Sequence, residues 1–349
     1  MSLVDSLSFT DSVRSLPDQW ATALGAAREV DLSPLDGAPV ERVVICGMGG
    51  SGISGDVLAA VAAPVLPVPV TVVKGYELPA FAGPGSLVFA VSYSGGTEET
   101  LEAAETALAA GAQVVAVSSG GPMAELAAAH GAPLVPCPGG FMPRAALGHL
   151  CTPLFVVLER LGLLPGATGW VEAAALQAAR RREACRPEVE GAGNPARELA
   201  RRIGRTIPLV WGGGAMGATA AFRWKADINE NAKAPCFWNT LPELDHNEIC
   251  GFGQHGDVTR QVLSLVELRH DFEHPQVSRR IEATRGIVEE TVGQVLPVRA
   301  EGEGRLAQLV DLMYVGDWVS LYMALDAGVD PGPIEAIARL KDELGRHDR

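Results

Sequence analysis

The stretch ERVVICGMGGSGISGD, residues 41–56, decides how the rest of the chain is read. It opens on a β-branched apolar run, Val43-Val44-Ile45, and passes into a loop of small residues, Gly47 to Gly52. Ile53 through Ala63 then repeats apolar residues at helical spacing. A buried strand that enters a helix through glycines leaves unpaired N–H groups at the helix start, where an anion is favoured. Glycine at Gly47, Gly49 and Gly50 lets backbone approach a phosphate with no Cβ in between. A tight strand-to-helix turn without a ligand would give the same pattern.

A second stretch repeats the theme. Leu87 to Val91 reads as another buried strand, and it runs into SYSGGTEETL, residues 92–101. Ser92, Ser94 and Thr97 fall within six residues at the start of the expected next helix. Hydroxyls and backbone N–H groups together satisfy phosphate oxygens without a full positive charge. Thr97 also suits a plain N-cap with Glu99 or Thr100 in the first turn, and a cap residue can still face a ligand.

Composition sets outer limits. A chain of 349 residues has length for two domains or one large one, and 47% hydrophobic residues suit a globular core. A net charge of -14 argues against a nucleic acid or an anionic membrane as partner. Any phosphate site must then rest on local dipoles and one or two placed cations. No apolar run reaches bilayer-spanning length, and MSLVDSLSFTDSV lacks the basic-then-apolar layout of a signal peptide. The six cysteines (Cys46, Cys137, Cys151, Cys185, Cys236, Cys250) show no CxxC or metal spacing. They are expected as small core residues of a reducing, cytoplasmic protein.

Taken in order, Ser6 to Ala27 predicts a leader helix with Pro17 at a break or a start, followed by a link from Ser33 to Pro39. Strand-like runs recur at 68–73, 87–91, 114–117 and 134–135, with helical patterns at 98–110 and 123–129. Such alternation predicts an α/β fold, a parallel sheet with helices on both faces and ligands beyond the carboxyl ends of its strands. Helices are expected at 147–163 and 170–186, the latter stopped by Pro187, and 191–195 breaks the chain. A second α/β set begins at 207–211 with a further glycine loop, 212–217, then strands at 262–268 and 295–298 and helices at 281–292 and 306–325. The halves read as copies of one architecture. The second glycine loop has no serine, and no ligand is expected there.

Proton-transfer candidates lie in the second half. Glu230 is flanked by Asn229 and Asn231, poor helix-interior residues unless their amides bond something. His246 sits between Asp245 and Asn247. A carboxylate and an imidazole could serve as base and acid, although a solvated loop with a helix cap would look the same. Arg144, after the last strand of the first half, could steady an oxyanion or simply pair with a surface carboxylate. Ile337 to Leu344 reads as an amphipathic helix, in which pattern alone gives Lys341 no role.

Taken together, GMGGSGISGD, SYSGGTEETL, PRAALG, the pair INENAKAP and LPELDHNEI, and the closing GVDPGPIEAIARLKDEL resemble the sugar-isomerase (SIS) domain family. Within it, they are similar to the bifunctional phosphoglucose/phosphomannose isomerases, over nearly the whole chain. The resemblance implies two SIS domains of flavodoxin-like, αβα-sandwich type, residues 1–153 and 154–349. It implies that Gly49, Gly50, Ser51, Ser92, Ser94 and Thr97 hold a sugar phosphate. Glu230 would move a proton between C1 and C2, and Arg144 would stabilise the enediolate. His246 and Lys341 would open the sugar ring, with His246 reaching into the partner subunit of a homodimer. No metal and no cofactor is implied. Gly95-Gly96 departs from the family's more usual Gly-Asn, and Cys236 to Asn239 is bulkier than expected beside the loop.

Three rival readings share parts of this pattern. An amino-sugar phosphate or arabinose 5-phosphate isomerase would keep the phosphate loops but not need Glu230, His246 and Lys341. A non-catalytic sugar-phosphate sensor would need no acid or base; the chain shows no separate helix-turn-helix segment. A dinucleotide enzyme would want an acidic residue at the end of the second strand, where Lys74 follows Val73.

Overall fold

The computed structural model describes residues 4–35 and 37–347, with side chains through Leu344. Asp36, within the expected 33–39 link, and residues 1–3 of the N-terminal stretch lie outside the described residues.

The first half holds strands β1 (Arg42–Cys46), β2 (Val70–Val73), β3 (Ser86–Val91), β4 (Gln113–Ser118) and β5 (Leu134–Pro136), paired parallel in the order β2-β1-β3-β4-β5. All six residues of β3 are buried, the pattern of a central parallel strand covered on both faces. Alternation along the strands assigns the faces. Val44, Cys46, Val88, Ala90, Val114 and Ala116 pack under helices α4 (Glu98–Ala109) and α5 (Gly121–His130). Val43, Ile45, Phe89, Val91 and Val117 point the other way, into the main core.

The leader splits into α1 (Phe9–Arg14) and α2 (Leu16–Glu29), with Pro17 in the first turn of α2, where its missing N–H costs nothing. Next along the chain are α3 (Gly49–Ala62), α6 (Leu147–Arg160) and α7 (Ala167–Cys185). The expected division after residue 153 falls inside α6. The second half carries α8 (Pro195–Ile203), β6 (Ile207–Gly213), α9 (Gly214–Asn231), β7 (Phe237–Leu241), α10 (Gly256–Val262), β8 (Leu263–Arg269), α11 (Pro275–Val288), β9 (Gln294–Arg299), α12 (Arg305–Ala327) and α13 (Glu335–His347). Its parallel sheet runs β7-β6-β8-β9. Apart from β5, this is the order of the first sheet, so the halves repeat one topology.

Both sheets turn one face to a shared core. Val210, Val266, Leu268 and Leu296 join the cluster that holds Trp20 of α2, Val57 of α3, Phe155 of α6, Trp224 of α9 and Trp318 of α12. Burying these side chains is the main stabilising term, at about 1.5–3 kcal/mol for each large apolar group. Leu209, Trp211 and Leu265 cover the outer face with Ile281 and Val288 of α11.

Three elements depart from expectation. The break expected at 191–195 instead starts α8: Asn194 caps it by accepting from Arg197 N–H at 3.0 Å, and Pro195 is the first helical residue. The bulky Cys236 to Asn239 run belongs largely to β7, an edge strand with Phe237 and Trp238 exposed. Val262 ends α10, so the strand expected from 262 begins at Leu263. The second glycine loop is built for packing. A Cβ on Gly212 would lie 2.2 Å from the Gly217 carbonyl oxygen, so the turn into α9 closes only without side chains there.

Candidate active site

The two hydroxyl loops leave the carboxyl ends of β1 and β3, which are neighbours in the sheet. β2 lies on the far side of β1 and β4 on the far side of β3, so the strand order reverses between them. Crevices of doubly wound sheets open at this point. Helix α3 starts at Gly49, whose φ of 48° is left-handed, and no side chain caps it. A Cβ on Gly50 would sit 2.6 Å from the Arg144 backbone nitrogen, so glycine here lets the loop touch the segment carrying that arginine. Ser51 is buried and its hydroxyl accepts from Tyr93 N–H at 3.1 Å, which ties the first loop to the second.

In the second loop, the buried Ser92 hydroxyl donates to Thr97 Oγ1 at 3.0 Å. Thr97 occupies the N-cap position of α4 without making a capping bond, so its hydroxyl serves Ser92 and leaves the first-turn N–H groups open. Ser94 is exposed and accepts from Gly96 N–H at 3.3 Å. Tyr93 extends the network: its hydroxyl donates to the Pro138 carbonyl and accepts from Phe141 N–H, both at 2.8 Å. Burial raises the phenol's pKa and keeps it neutral. This fixes the turn that delivers Arg144.

Arg144 is 4% exposed. Its Nε donates to Asn231 Oδ1 at 2.7 Å, and Nη2 donates to the carbonyls of Pro331 and Gly332, both at 2.8 Å. The guanidinium carbon lies 4.8 Å from the centre of the Phe9 ring. That leaves Nη1, which faces Glu230 Oε2 at 3.7 Å. Burial pulls the pKa of the guanidinium down, and the Glu230 charge works against that pull.

Glu230 stands in the last turn of α9, with its side chain 27% exposed. The flanking amides have the partners their position demands. Asn229 donates to the Ala234 carbonyl at 2.8 Å; Asn231, besides receiving Arg144, donates to Ser320 Oγ at 2.9 Å. One turn further back and beyond, Arg223 pairs with Asp227 at 2.8 Å and Asp317 at 3.1 Å, and donates to the Arg144 carbonyl at 2.7 Å. Burial raises the Asp227 pKa well above the usual carboxylate range. Glu230 opens on a cleft of about 700 Å³, lined also by Asn229, Lys233, Asp330, Ile334 and Ile337.

The chain thus brings Arg144 to Glu230 and sets the Gly50–Ser51 loop against the Arg144 backbone. It does not bring His246 or Lys341 to Glu230. His246 is exposed on a 3-10 turn after β7, at the end of the second half where α9 begins. The 18 residues of α9 put about 27 Å between that end and Glu230, at 1.5 Å per residue. Lys341 is exposed on α13 and does not line the cleft, whose wall from that helix is its first turns. Lys74, where a dinucleotide enzyme would want an acid, is ion-paired with Asp56. Sequence reading misses Tyr93, Lys233 and the 330–332 carbonyls as parts of the site. Among the described residues, no group of three His, Cys, Asp or Glu side chains is placed to hold a metal, and no helix is long and apolar enough to cross a membrane.

Comparison with known proteins agrees with this architecture. Residues 38–131 match the SIS domain, and residues 192–344 match the bacterial phospho-glucose isomerase C-terminal SIS domain. Fold and site therefore define a protein of two SIS units, in which the first hydroxyl loop packs on the backbone of the arginine that faces Glu230, while neither hydroxyl loop lines the cleft on which Glu230 opens. A bifunctional phosphoglucose/phosphomannose isomerase of Caldicellulosiruptor bescii is 35% identical over 96% of this chain and 98% of its own length. One of Aquifex aeolicus is 36% identical over 89% of this chain and 93% of its own. The chain belongs to the family of bifunctional phosphoglucose/phosphomannose isomerases. The fold recurs in a hypothetical protein of Thermus thermophilus, with a TM-score of 0.76 at 17% identity over 98% of this chain and 90% of that one.

Proposed function

We propose that this chain interconverts fructose 6-phosphate with glucose 6-phosphate and mannose 6-phosphate through a cis-enediolate. The observation that carries the reading is the Arg144–Glu230 pair, a guanidinium from the first half 3.7 Å from a half-open carboxylate of the second. Aldose–ketose isomerisation asks for such a pair: one base that removes a proton from carbon and returns it to the neighbour, and one cation for the oxygen that becomes negative meanwhile.

In this reading Glu230 takes the proton from C2 of the aldose or C1 of the ketose, and Arg144 Nη1 steadies the enediolate. Gly49, Gly50, Ser51, Ser92, Ser94 and Thr97 grip the phosphate at the other end of the sugar. Holding the remote phosphate positions the reacting carbons, which lowers the barrier by orientation. His246 and Lys341 open the sugar ring before proton transfer. The separation of His246 from Glu230 within one chain supports a homodimer in which each site borrows His246 from its partner. The two units take residues 1–153 and 154–349 and meet in α6, and the enzyme works in the cytoplasm without metal or cofactor.

A coupled assay with fructose 6-phosphate, scoring glucose 6-phosphate and mannose 6-phosphate separately, tests the reading. Formation of both products is expected. A chain that binds phosphosugars yet forms neither product overturns it.

A further inference from the structure

Lys233 occupies an uncommon backbone position. It follows the last turn of α9 with φ 53°, the left-handed conformation in which helices usually end on glycine or asparagine. A lysine there carries a steric cost that glycine would avoid. Its ammonium meanwhile makes a full set of contacts. Nζ donates to the carbonyls of Glu230 at 2.8 Å, Asn231 at 3.4 Å, Asp330 at 2.8 Å and Pro331 at 3.2 Å. The first two are end-of-helix carbonyls lacking intrahelical partners, which a cation complements. The other two belong to the loop that leads into α13.

The Pro331 carbonyl is shared, because Arg144 Nη2 donates to it as well. Lys233 therefore grips the backbone of Glu230 with the same nitrogen that grips the loop holding Arg144. We propose that Lys233 is a positioning residue of the isomerase site, setting the separation between the base Glu230 and the guanidinium of Arg144 through the 330–332 carbonyls. This rests on the isomerase reading given above. Lys233 moves no proton in this scheme, and its ammonium bonds no residue of the phosphate loops of the first half.

The backbone supplies a clean test. Lys233→Gly deletes the ammonium while placing the favoured residue at a left-handed position, so the fold is retained. In the fructose 6-phosphate assay, kcat is expected to fall about ten- to hundredfold, the scale of a misplacement near 1 Å, with KM for the sugar phosphate within about threefold. Lys233→Arg supplies several fixed donors and is expected to recover most of kcat with an unchanged pH profile. Amide exchange over residues 329–334 is expected to speed up in Lys233→Gly and to return to normal in Lys233→Arg. Unchanged kcat and unchanged exchange in Lys233→Gly overturn the proposal, as does an arginine variant as slow as the glycine one. If the wild type isomerises no phosphosugar, the functional reading fails by itself, and the exchange comparison still decides whether Lys233 fixes the loop.

Discussion

Arg144 reaches Glu230 across the two halves of the molecule with the single nitrogen of its guanidinium that has no hydrogen bond among the described residues. Nε and Nη2 are held by Asn231, Pro331 and Gly332, and Nη1 stands 3.7 Å from Glu230 Oε2. The distance is too long for a direct hydrogen bond. The cation is thus oriented in advance toward the carboxylate while retaining donors for an oxygen that arrives between or beside them. Preorganisation of this kind is where electrostatic catalysis takes most of its effect.

Glu230→Gln keeps the shape of the side chain and removes the carboxylate proposed as the base. Turnover of fructose 6-phosphate is expected to drop at least about a thousandfold, while calorimetric binding of the sugar phosphate stays within a few-fold of wild type. Easily measured turnover in this variant argues against the base assignment.

Arg144→Lys keeps the charge and loses the fork. One ammonium cannot serve Asn231 Oδ1 and the carbonyls of Pro331 and Gly332 while also facing Glu230. Leaving buried acceptors unpaired is expected to cost about 2–4 kcal/mol in urea unfolding, and kcat is expected to fall roughly 10²- to 10³-fold. A lysine variant of wild-type stability would show that these contacts do not hold the guanidinium.

The serines separate binding from folding. Ser94 is exposed, so Ser94→Ala is expected to raise KM for phosphosugars roughly tenfold, the value of one hydrogen bond to a charged group, with unfolding unchanged within about 0.5 kcal/mol. Ser51→Ala is expected to raise KM and also to cost about 1 kcal/mol, because the buried Tyr93 N–H loses its acceptor. An unchanged KM in the double variant would remove both residues from the phosphate site.

Much of the fold is legible because the central first-half strands β1, β3 and β4 are buried on both faces. Uninterrupted runs such as Leu87 to Val91 announce themselves, and glycine-rich turns mark their carboxyl ends. β7 escapes a sequence reading because an edge strand with Phe237 and Trp238 exposed has neither a continuous apolar run nor alternation. α8 escapes because Asn194-Pro195 reads as a stop, when Asn at the cap and Pro at the first helical position also start a helix. Within the site, Glu230 and Arg144 carry motif signals. The parts that join them are backbone carbonyls at 330–332 and a lysine at a left-handed position, and backbone geometry leaves no mark in composition or spacing.

Acid should weaken the fold through His149. Burial lowers its pKa from 6.5 to about 4, and its Nδ1 has no hydrogen-bond partner among the described residues. As pH falls below 6.5 the unfolded chain takes up a proton that the folded chain refuses until about pH 4. The stabilising contribution is therefore complete above 6.5 and lost progressively down to about 4, on the order of 3 kcal/mol in all at about 1.4 kcal/mol per unit. Urea unfolding at about pH 7 and about pH 4.5 should show this fall in the wild type and a smaller one in His149→Leu. Equal falls in both would place the acid sensitivity elsewhere.

The placement of His246 can be decided by mixing two inactive chains. If each site draws Glu230 from one chain and His246 from the other, a dimer of one Glu230→Gln chain and one His246→Ala chain has one site lacking both groups and one site intact. Random reassociation makes half of the dimers mixed, so refolding the two variants together should restore about a quarter of wild-type activity, while each variant alone stays low. If both groups act within one chain, every site in every dimer lacks one of them and mixing restores nothing. The distance of about 27 Å along α9 from Glu230 to the His246 end of the second half makes the first outcome the expected one, since no side chain spans that gap.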